Sequence, residues 1–167
     1  GLMPGTYDVT TMYGNMSVYS KVVVKTTIEG KDLVKMYQNG TQFFATFLGT
    51  DGKPLANNTK VTFNINGVFY TRQTNENGVA RLNINLRPGD YILTAYNPVN
   101  GEQKGVTITV KSLIVQNDLT KYYLNASRFQ ATIYNKDGSL AVNKEVTFNI
   151  NGVFYHKKTD ENGVASL

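Results

Sequence analysis

The fold class that the sequence predicts is all-β: tandem antiparallel β-sandwich repeats, each of about 85 residues. Three observations predict it. The ten-residue segment VTFNINGVFY occurs twice, at 61–70 and at 146–155. Apolar and polar residues alternate between clusters of turn residues, which is the period of a half-buried strand. No segment shows a convincing helical period of 3.6 residues.

The repeat extends well beyond the ten identical residues. Residues 32–43 match 118–129 at six positions, and residues 74–82 match 159–167 at seven. Pro4, Gly5 and Tyr7 match Pro88, Gly89 and Tyr91. A fixed period of this length indicates an array of modules. We therefore expect the C-terminal strands of a preceding repeat at 1–28, a complete immunoglobulin-like repeat at 29–113, and the N-terminal strands of a following, incomplete repeat at 114–167.

The complete repeat is predicted to hold seven short strands, the first at 32–37. Asn66-Gly67 is a favoured two-residue hairpin turn, which places Ile65 opposite Val68 and Phe63 opposite Tyr70, so that Val68 and Tyr70 are expected to share the core face. Tyr91, just after Pro88-Gly89, lies where sandwiches often carry a tyrosine corner. Seven alternating strands in one repeat are typical of an antiparallel immunoglobulin-like sandwich. The residues expected to face inward are Phe43, Ala45, Phe47, Val61, Phe63, Ile65, Ala80, Leu82, Ile84, Leu86, Tyr91, Leu93, Ala95, Val106, Ile108 and Val110.

Composition excludes several classes of protein. The net charge is +5, but the basic residues never form a run of three, so no nucleic-acid partner is expected. There is no cysteine and hence no disulfide or thiol chemistry. No apolar stretch approaches the roughly 18 residues of a spanning helix, so this part of the chain is expected to make no membrane contact. Any export signal or anchor is expected outside these residues.

The sequence also lacks the residues of an active site. His156 is the only histidine, and its repeat counterpart is Thr71, so it is interpreted as a solvated strand residue. No catalytic triad, zinc spacing or phosphate-binding loop can be assembled. The turn from Asp160 to Gly163 carries acidic oxygens of the kind that bind calcium. Its counterpart begins with Asn75 and lacks the first carboxylate, so an ordinary turn before a strand explains both. We expect no enzyme activity, no cofactor and no metal.

Lys35 and Lys121 are repeat equivalents, each between a leucine and a tyrosine on one strand face. A lysine between two core residues is costly unless it is paired or its head reaches water. One interpretation is a covalent crosslink to an Asn or Asp side chain, favoured by desolvation of the amine. The other is an edge-strand lysine with a solvated head.

Four N-x-[ST] sequons are glycosylation candidates: Asn15, Asn39, Asn57 and Asn125. Asn39 and Asn125 are repeat equivalents, so we expect a glycan on at least one of them. Phe69 and Phe154 are a further equivalent pair. Hairpin pairing puts them on the outer face, so we expect them to be exposed and to be candidate contacts for a neighbouring unit. The alternative is a register that turns this phenylalanine into the core.

Four motifs together resemble the immunoglobulin-like repeats of adhesin-like surface proteins of methanogenic archaea. They are VTFNINGVFY, T-x-E-N-G-V-A-x-L, R-P-G-D-Y and D-L-x-K-x-Y-x-N. The resemblance covers essentially the whole chain. It implies export, an extracellular location at the cell surface, long multi-domain stalks and a role in attachment. It implies no catalytic residues.

Two functions are compatible with these observations. The repeats form a structural stalk or filament, or each repeat is itself a glycan- or protein-binding module. Near-identity between repeats favours the first, since spacers can stay uniform. The partners expected are neighbouring repeats or copies of the same chain. By register Leu167 corresponds to Leu82 and Gly1 to Asn85, so two copies placed end to end would rebuild a nearly complete unit.

Overall fold

The computed structural model describes residues 1–167 and contains fifteen strands and no helix, so the all-β prediction is confirmed. Accordingly, no helix is present that could span a membrane. The strands are β1 (Gly5–Tyr13), β2 (Met16–Val24), β3 (Ile28–Gly30), β4 (Leu33–Met36), β5 (Gln42–Phe47), β6 (Lys60–Ile65), β7 (Val68–Gln73), β8 (Val79–Asn83), β9 (Gly89–Tyr96), β10 (Gln103–Lys111), β11 (Ile114–Gln116), β12 (Gln130–Ile133), β13 (Glu145–Ile150), β14 (Val153–Lys158) and β15 (Val164–Ser166).

The chain packs as two compact units, each discontinuous in sequence. One unit contains Gly1–Lys31, Gln42–Leu82 and Ile92–Thr107, and the other contains Asp32–Thr41, Asn83–Tyr91 and Ile108–Leu167. Each unit therefore draws on more than one of the predicted repeats. The boundaries expected at residues 28/29 and 113/114 stay predictions.

Residues 28–111 form two sheets. Three strands are ordered β3-β5-β8, and five are ordered β4-β10-β9-β6-β7. The β4–β10 ladder is parallel, with Leu33 opposite Ile108 and Lys35 opposite Val110. The sequence predicted antiparallel strands throughout, and this ladder corrects that expectation.

The predicted first strand at 32–37 is confirmed as β4, Leu33–Met36. A further short strand that was not predicted, β3 at Ile28–Gly30, precedes it and belongs to the other sheet. β3 pairs antiparallel with β5, with Glu29 opposite Thr46, before the chain crosses to the other sheet. This gives eight strands rather than seven, because one short segment covers the edge of each sheet.

The predicted alternation is confirmed in the core. Phe47 and Phe63 are fully buried, and Phe43 meets Phe63 edge-to-face with ring centroids 5.9 Å apart. Such aromatic pairs add about 0.5–1.5 kcal/mol beyond their area burial. The turn after β6 is confirmed as well: Asn66 and Gly67 have φ of 53° and 75°, and Ile65 lies opposite Val68. The expected burial of Val68 is wrong, because Val68 is 48% exposed at the open edge of β7.

The tyrosine corner is present and occurs twice. The Tyr91 hydroxyl donates to the Arg87 carbonyl at 2.8 Å. The Tyr7 hydroxyl donates in the same way to the Met3 carbonyl at 2.6 Å. β1 and β9 therefore begin with the same local hydrogen bond.

Residues 114–167 repeat part of this arrangement. β11, β12 and β15 form a three-stranded sheet in that order, and β13 and β14 form a separate hairpin. Their core is a small cluster of Ala131, Phe148 and Ala165. Residues 117–129, which include the counterpart of β4, form no strand. At the other end of the chain, β1 and β2 pair only with each other.

Candidate functional site

The hairpin β1–β2 exposes a face that its counterpart β9–β10 buries. Val9 is 38% exposed, whereas its counterpart Leu93 is fully buried. Val22 is 43% exposed, whereas its counterpart Ile108 is again fully buried. Val9, Val18 and Val22 lie on one face of the hairpin through the pairs Tyr7–Val22, Val9–Ser20 and Thr11–Val18. The result is an apolar sheet face without a covering layer.

A second exposed surface is a groove of about 680 Å³ in residues 114–167. Its apolar lining is provided by Leu119, Phe129, Phe148, Ile150 and Leu167. Ile150 is 55% exposed, although its counterpart in the identical segment, Ile65, is 3% exposed. β13 pairs only with β14, while β6 pairs with both β7 and β9. One edge of β13 therefore has no neighbouring strand.

A polar cluster fixes the residues that join β2 to β3. The Glu102 carboxylate accepts hydrogen bonds from the Thr26 hydroxyl at 2.5 Å, the Thr27 amide at 2.7 Å and the Thr27 hydroxyl. Asn97, which is buried, donates to the Thr27 hydroxyl at 3.0 Å and to the Leu48 carbonyl at 2.8 Å. The connection between the hairpin and the sandwich is thereby held by several bonds at once.

The acidity of Glu102 follows from the same contacts. Burial raises its pKa, but the hydrogen bonds from Thr26 and Thr27 and the charge of Lys104 outweigh burial, so the pKa lies below its ordinary value of 4.5. Glu102 is thus a carboxylate at neutral pH and a strong acceptor. Sequence analysis missed this cluster, because its partners lie some 75 residues apart and no local motif joins them.

Lys35 is buried, with 6% of its surface exposed. Its Nζ donates to the Ile84 carbonyl at 2.7 Å, and burial lowers the pKa of Lys35 below its ordinary value of 10.5. The residue as a whole is thus largely covered, and its amine has a backbone carbonyl as a hydrogen-bond partner. Its counterpart Lys121 is exposed and donates to the Ser127 carbonyl at 2.8 Å. The crosslink stays a hypothesis that an intact mass would test.

The sequons lie in different surroundings. Asn15, Asn57 and Asn125 are exposed. Asn39 is half-buried, and its Nδ2, the atom that glycosylation would modify, donates to the Lys136 carbonyl at 2.9 Å. In both equivalent sequons the asparagine Oδ1 accepts the amide of the residue two positions on, Thr41 or Ser127. Of the two equivalents, Asn125 has the more accessible amide nitrogen.

Phe69 and Phe154 are 66% and 63% exposed. They lie opposite Asn64 and Asn149 on the outer faces of their hairpins. The Phe69 ring also lies 6.1 Å from the Tyr96 ring, centroid to centroid. Each hairpin therefore presents a large aromatic side chain to solvent, and its role as an interface residue stays a prediction.

His156 and the acidic turn have ordinary structural contacts. His156 is exposed, with Nδ1 3.1 Å from the Thr147 hydroxyl and 3.5 Å from Glu145. Asp160 Oδ1 accepts the amides of Asn162 and Val164 at 2.8 and 2.9 Å. Asn75 Oδ1 accepts the corresponding two amides, so an amide oxygen serves this turn as well as a carboxylate does.

Comparison with known proteins finds no matching family model and no matching curated protein. Among solved structures, domains 4–9 of the surface layer protein SbsC are similar at a TM-score of 0.36 and 14% identity over 99% of this chain. A 1.5-MDa bacterial ice-binding adhesin is similar at a TM-score of 0.31 and 18% identity; the match covers 90% of this chain and 57% of the adhesin structure. A mixed-linkage glucan utilization protein of Bacteroides ovatus is similar at a TM-score of 0.33 and 14% identity; the match covers 75% of this chain and 33% of that structure.

This chain spans about a third of the SbsC structure, at 31%. At these TM-scores and identities, the function of none of these proteins can be assigned to this chain.

Proposed function

We propose that this chain is a run of structural repeats from an extracellular adhesin, stalk or filament that mediates attachment at a cell surface. The observation that carries the proposal is the internal repeat: the same strands, tyrosine corner and hairpin turn recur in register along one chain. Repetition of one module extends a molecule without adding chemistry. The resemblance to adhesin-like surface proteins of methanogenic archaea implies that these repeats lie at the cell surface.

The polar cluster around Glu102 supports a stalk. A stalk transmits force only if the connections between its modules are stiff, and a short, hydrogen-bonded connection is stiffer than a free linker. Glu102→Ala is expected to release residues 26–28 and to accelerate hydrogen exchange at the Thr27 amide. Glu29→Ala is the matched control, because Glu29 is an exposed glutamate on β3. Equal exchange in both variants would remove this support.

Glycosylation is part of the proposal, since exported sequons in exposed loops are open to modification. We expect glycans on Asn125 more often than on Asn39, because the Asn39 Nδ2 is bonded to the Lys136 carbonyl. Intact glycopeptide mass spectrometry on native material measures both positions. Unmodified peptides at both would reject the glycoprotein assignment.

The location itself is tested on intact cells of the source organism. Protease added to unbroken cells is expected to release peptides of this chain before those of an intracellular marker protein, and electron microscopy of the released protein is expected to show extended fibres. Peptides that appear only after cell lysis, or compact globules, would contradict the proposal.

A second candidate function is that each repeat binds a glycan or a protein. The exposed Phe69 and Phe154 favour it, because an aromatic side chain at the same outer position of each hairpin is suited to stacking on a ligand. Loss of binding to cells or glycans in the Phe69→Ala, Phe154→Ala double variant would support this function. Unchanged binding would leave attachment to other parts of the stalk.

A further inference from the structure

We propose that the side chain of Asn39 is a latch between the loop after β4 and the turn at 135–139, and that a glycan on Asn39 opens this latch. By the predicted register, the loop and the turn belong to successive repeats. The inference rests on the proposed function and deepens it, because it names a modification that sets the stiffness of the stalk at a joint. Both halves of the latch lie within one compact unit of the chain.

The latch is a hydrogen bond across the joint. Asn39 Nδ2 donates to the Lys136 carbonyl at 2.9 Å, and the two residues are 97 positions apart in sequence. Asn39 is half-buried. A Cβ placed on Gly138, in the same turn, would lie 3.8 Å from Met36 Cγ at the end of β4. The loop and the turn therefore lie side by side, with the Asn39 amide bonded across the boundary.

The chain connection at this joint is short. β10 ends at Lys111 and β11 begins at Ile114, so only Ser112 and Leu113 lie between them. The Leu113 carbonyl accepts the Tyr134 amide at 2.8 Å, which ties the connection to the strand that precedes the turn. A connection this short and bonded bends less than a free linker. Contacts beside it, such as the latch, therefore limit the movement that is left.

The sequon itself leaves Nδ2 available for a partner outside its own loop. Asn39 Oδ1 accepts the amide of Thr41 at 2.9 Å and also its hydroxyl. In the equivalent sequon, Asn125 Oδ1 accepts the Ser127 amide at 2.8 Å. The asparagine oxygen is thus used within the sequon in both copies. The nitrogen, which is the atom that glycosylation modifies, is the one that bonds across the joint.

Glycosylation of Asn39 replaces one Nδ2–H bond by a bond from Nδ2 to the anomeric carbon of a sugar. The donor is an activated sugar phosphate. Its anomeric carbon loses the phosphate together with the bonding electron pair, and the proton from Nδ2 passes to the departing phosphate. The product carries a sugar ring one bond away from an atom that lies 2.9 Å from the Lys136 carbonyl in the unmodified chain.

The sugar ring and the turn compete for the same space. Loss of one ordinary hydrogen bond shifts the ratio of closed to open joints about two- to tenfold. The ring adds a steric clash, because Asn39 is half-buried against the turn. A closed latch conversely shields Nδ2, so the glycan is attached before the joint closes. Modified molecules therefore keep a flexible joint, whereas unmodified molecules close it.

The latch is tested with two spin labels on repeat-equivalent turns, at Glu76→Cys and Glu161→Cys, because the chain has no cysteine of its own. Both positions are exposed. Asn39→Asp keeps the size of the side chain and the acceptor for Thr41, but it places an oxygen against the Lys136 carbonyl. The distance distribution between the labels is expected to broaden, with the open fraction rising at least about twofold.

Asn57→Asp is the matched control, because it makes the same change at an exposed sequon outside the joint. Its distance distribution should equal that of the parent chain. Broadening in both variants, or in neither, would overturn the proposal. NMR gives an independent measurement on the chain without either substitution. The side-chain amide protons of Asn39 should exchange more slowly with solvent than those of Asn57, and equal rates would overturn the latch.

The glycan is tested on native protein that is fractionated by lectin affinity and mapped by glycopeptide mass spectrometry. The Tyr134 amide should exchange faster in molecules with a glycan on Asn39 than in molecules with a glycan on Asn57 alone. Equal or slower exchange would overturn the proposal. Surface exposure of a chain in which Asn39 is always unmodified would reject the switch and leave the proposed function standing. An intracellular location would reject that function and the glycan, while the spin-label distances would still decide the latch.

Discussion

The two copies of the decapeptide VTFNINGVFY differ in burial although they share every residue. At 61–70 the segment contributes Val61, Phe63 and Ile65 to a closed core. At 146–155 it forms the same hairpin in the same register, but Ile150 is largely exposed. The repeat-equivalent lysines also differ in burial, since Lys35 is buried and Lys121 is exposed.

This comparison separates what local sequence determines from what covering strands determine. The hairpin, its turn and its pairing follow from ten residues, because side-chain alternation and the Asn-Gly turn act locally. Burial of the isoleucine depends on a neighbouring strand: β6 pairs with β9, whereas β13 has no strand on that edge. The same isoleucine is therefore core in one copy and open surface in the other, whereas the phenylalanine of the segment is buried in both copies, as Phe63 and as Phe148.

The largest expected difference in unfolding free energy is between the variants Ile65→Ala and Ile150→Ala. Truncating a buried isoleucine costs about 2–5 kcal/mol of unfolding free energy, because transfer energy is lost and a cavity remains. Ile150→Ala should cost less than about 1 kcal/mol in dilute, monomeric protein. Denaturant unfolding of both variants measures the two costs, and equal costs would break the comparison.

A smaller difference is expected between two glycines of positive φ. A Cβ at Gly78 would lie 2.7 Å from the Phe47 carbonyl oxygen and 3.0 Å from Pro54 Cβ, whereas one at Gly67 would meet nothing within 4 Å. Gly67→Ala should therefore cost only the backbone strain, about 1–2 kcal/mol. Gly78→Ala adds a steric clash and should exceed it by at least about 1 kcal/mol. Thermal unfolding compares them, and a larger loss in Gly67→Ala would contradict this packing.

The smallest expected effect concerns the buried lysine. Because the folded-state pKa of Lys35 lies below its ordinary value of 10.5, the unfolded chain binds more protons between those two values. The free energy of unfolding therefore rises with pH between the two pKa values, as Lys35 loses its proton in the folded chain. This gain is absent at pH values below the folded-state pKa. Lys35→Met should remove this rise, because methionine has no proton to lose in this range.

Lys121→Met is the control for that measurement. Lys121 is exposed, so its replacement should leave the alkaline stability profile of the chain unchanged. Chemical unfolding from pH 7 to 11 would compare the two variants with the parent chain. The same slope in all three proteins would show that Lys35 is not desolvated in the fold.

The sequence alone predicted the elements that depend on nearby residues. The turn at Asn66-Gly67, the alternation through Phe43 and Phe63, and the tyrosine corner at Tyr91 all follow from patterns of a few residues. The exposure of Phe69 and Phe154 also follows from hairpin pairing alone.

Features that depend on distant partners were missed. The additional strand β3 at Ile28–Gly30 is decided by the edge of β5 that it meets, and no period over three residues reports it. The parallel ladder of β4 with β10 likewise depends on a strand that is distant in sequence, so local patterns do not report it. The contacts of Glu102 and the fate of the Lys35 amine depend on residues about 50–75 positions away, so local spacing could not reveal them.

The most direct test of the account is amide hydrogen exchange in the two copies of VTFNINGVFY. Within the identical segments the intrinsic exchange rates are matched, so a difference in rate reports structure and local stability alone. NMR, or peptides extended into the differing flanks, resolves β6 from β13. β6 should exchange far more slowly than β13, because β6 pairs on both edges and β13 on one. Equal protection of the two segments would contradict the claim that covering strands, and not the local sequence, decide burial.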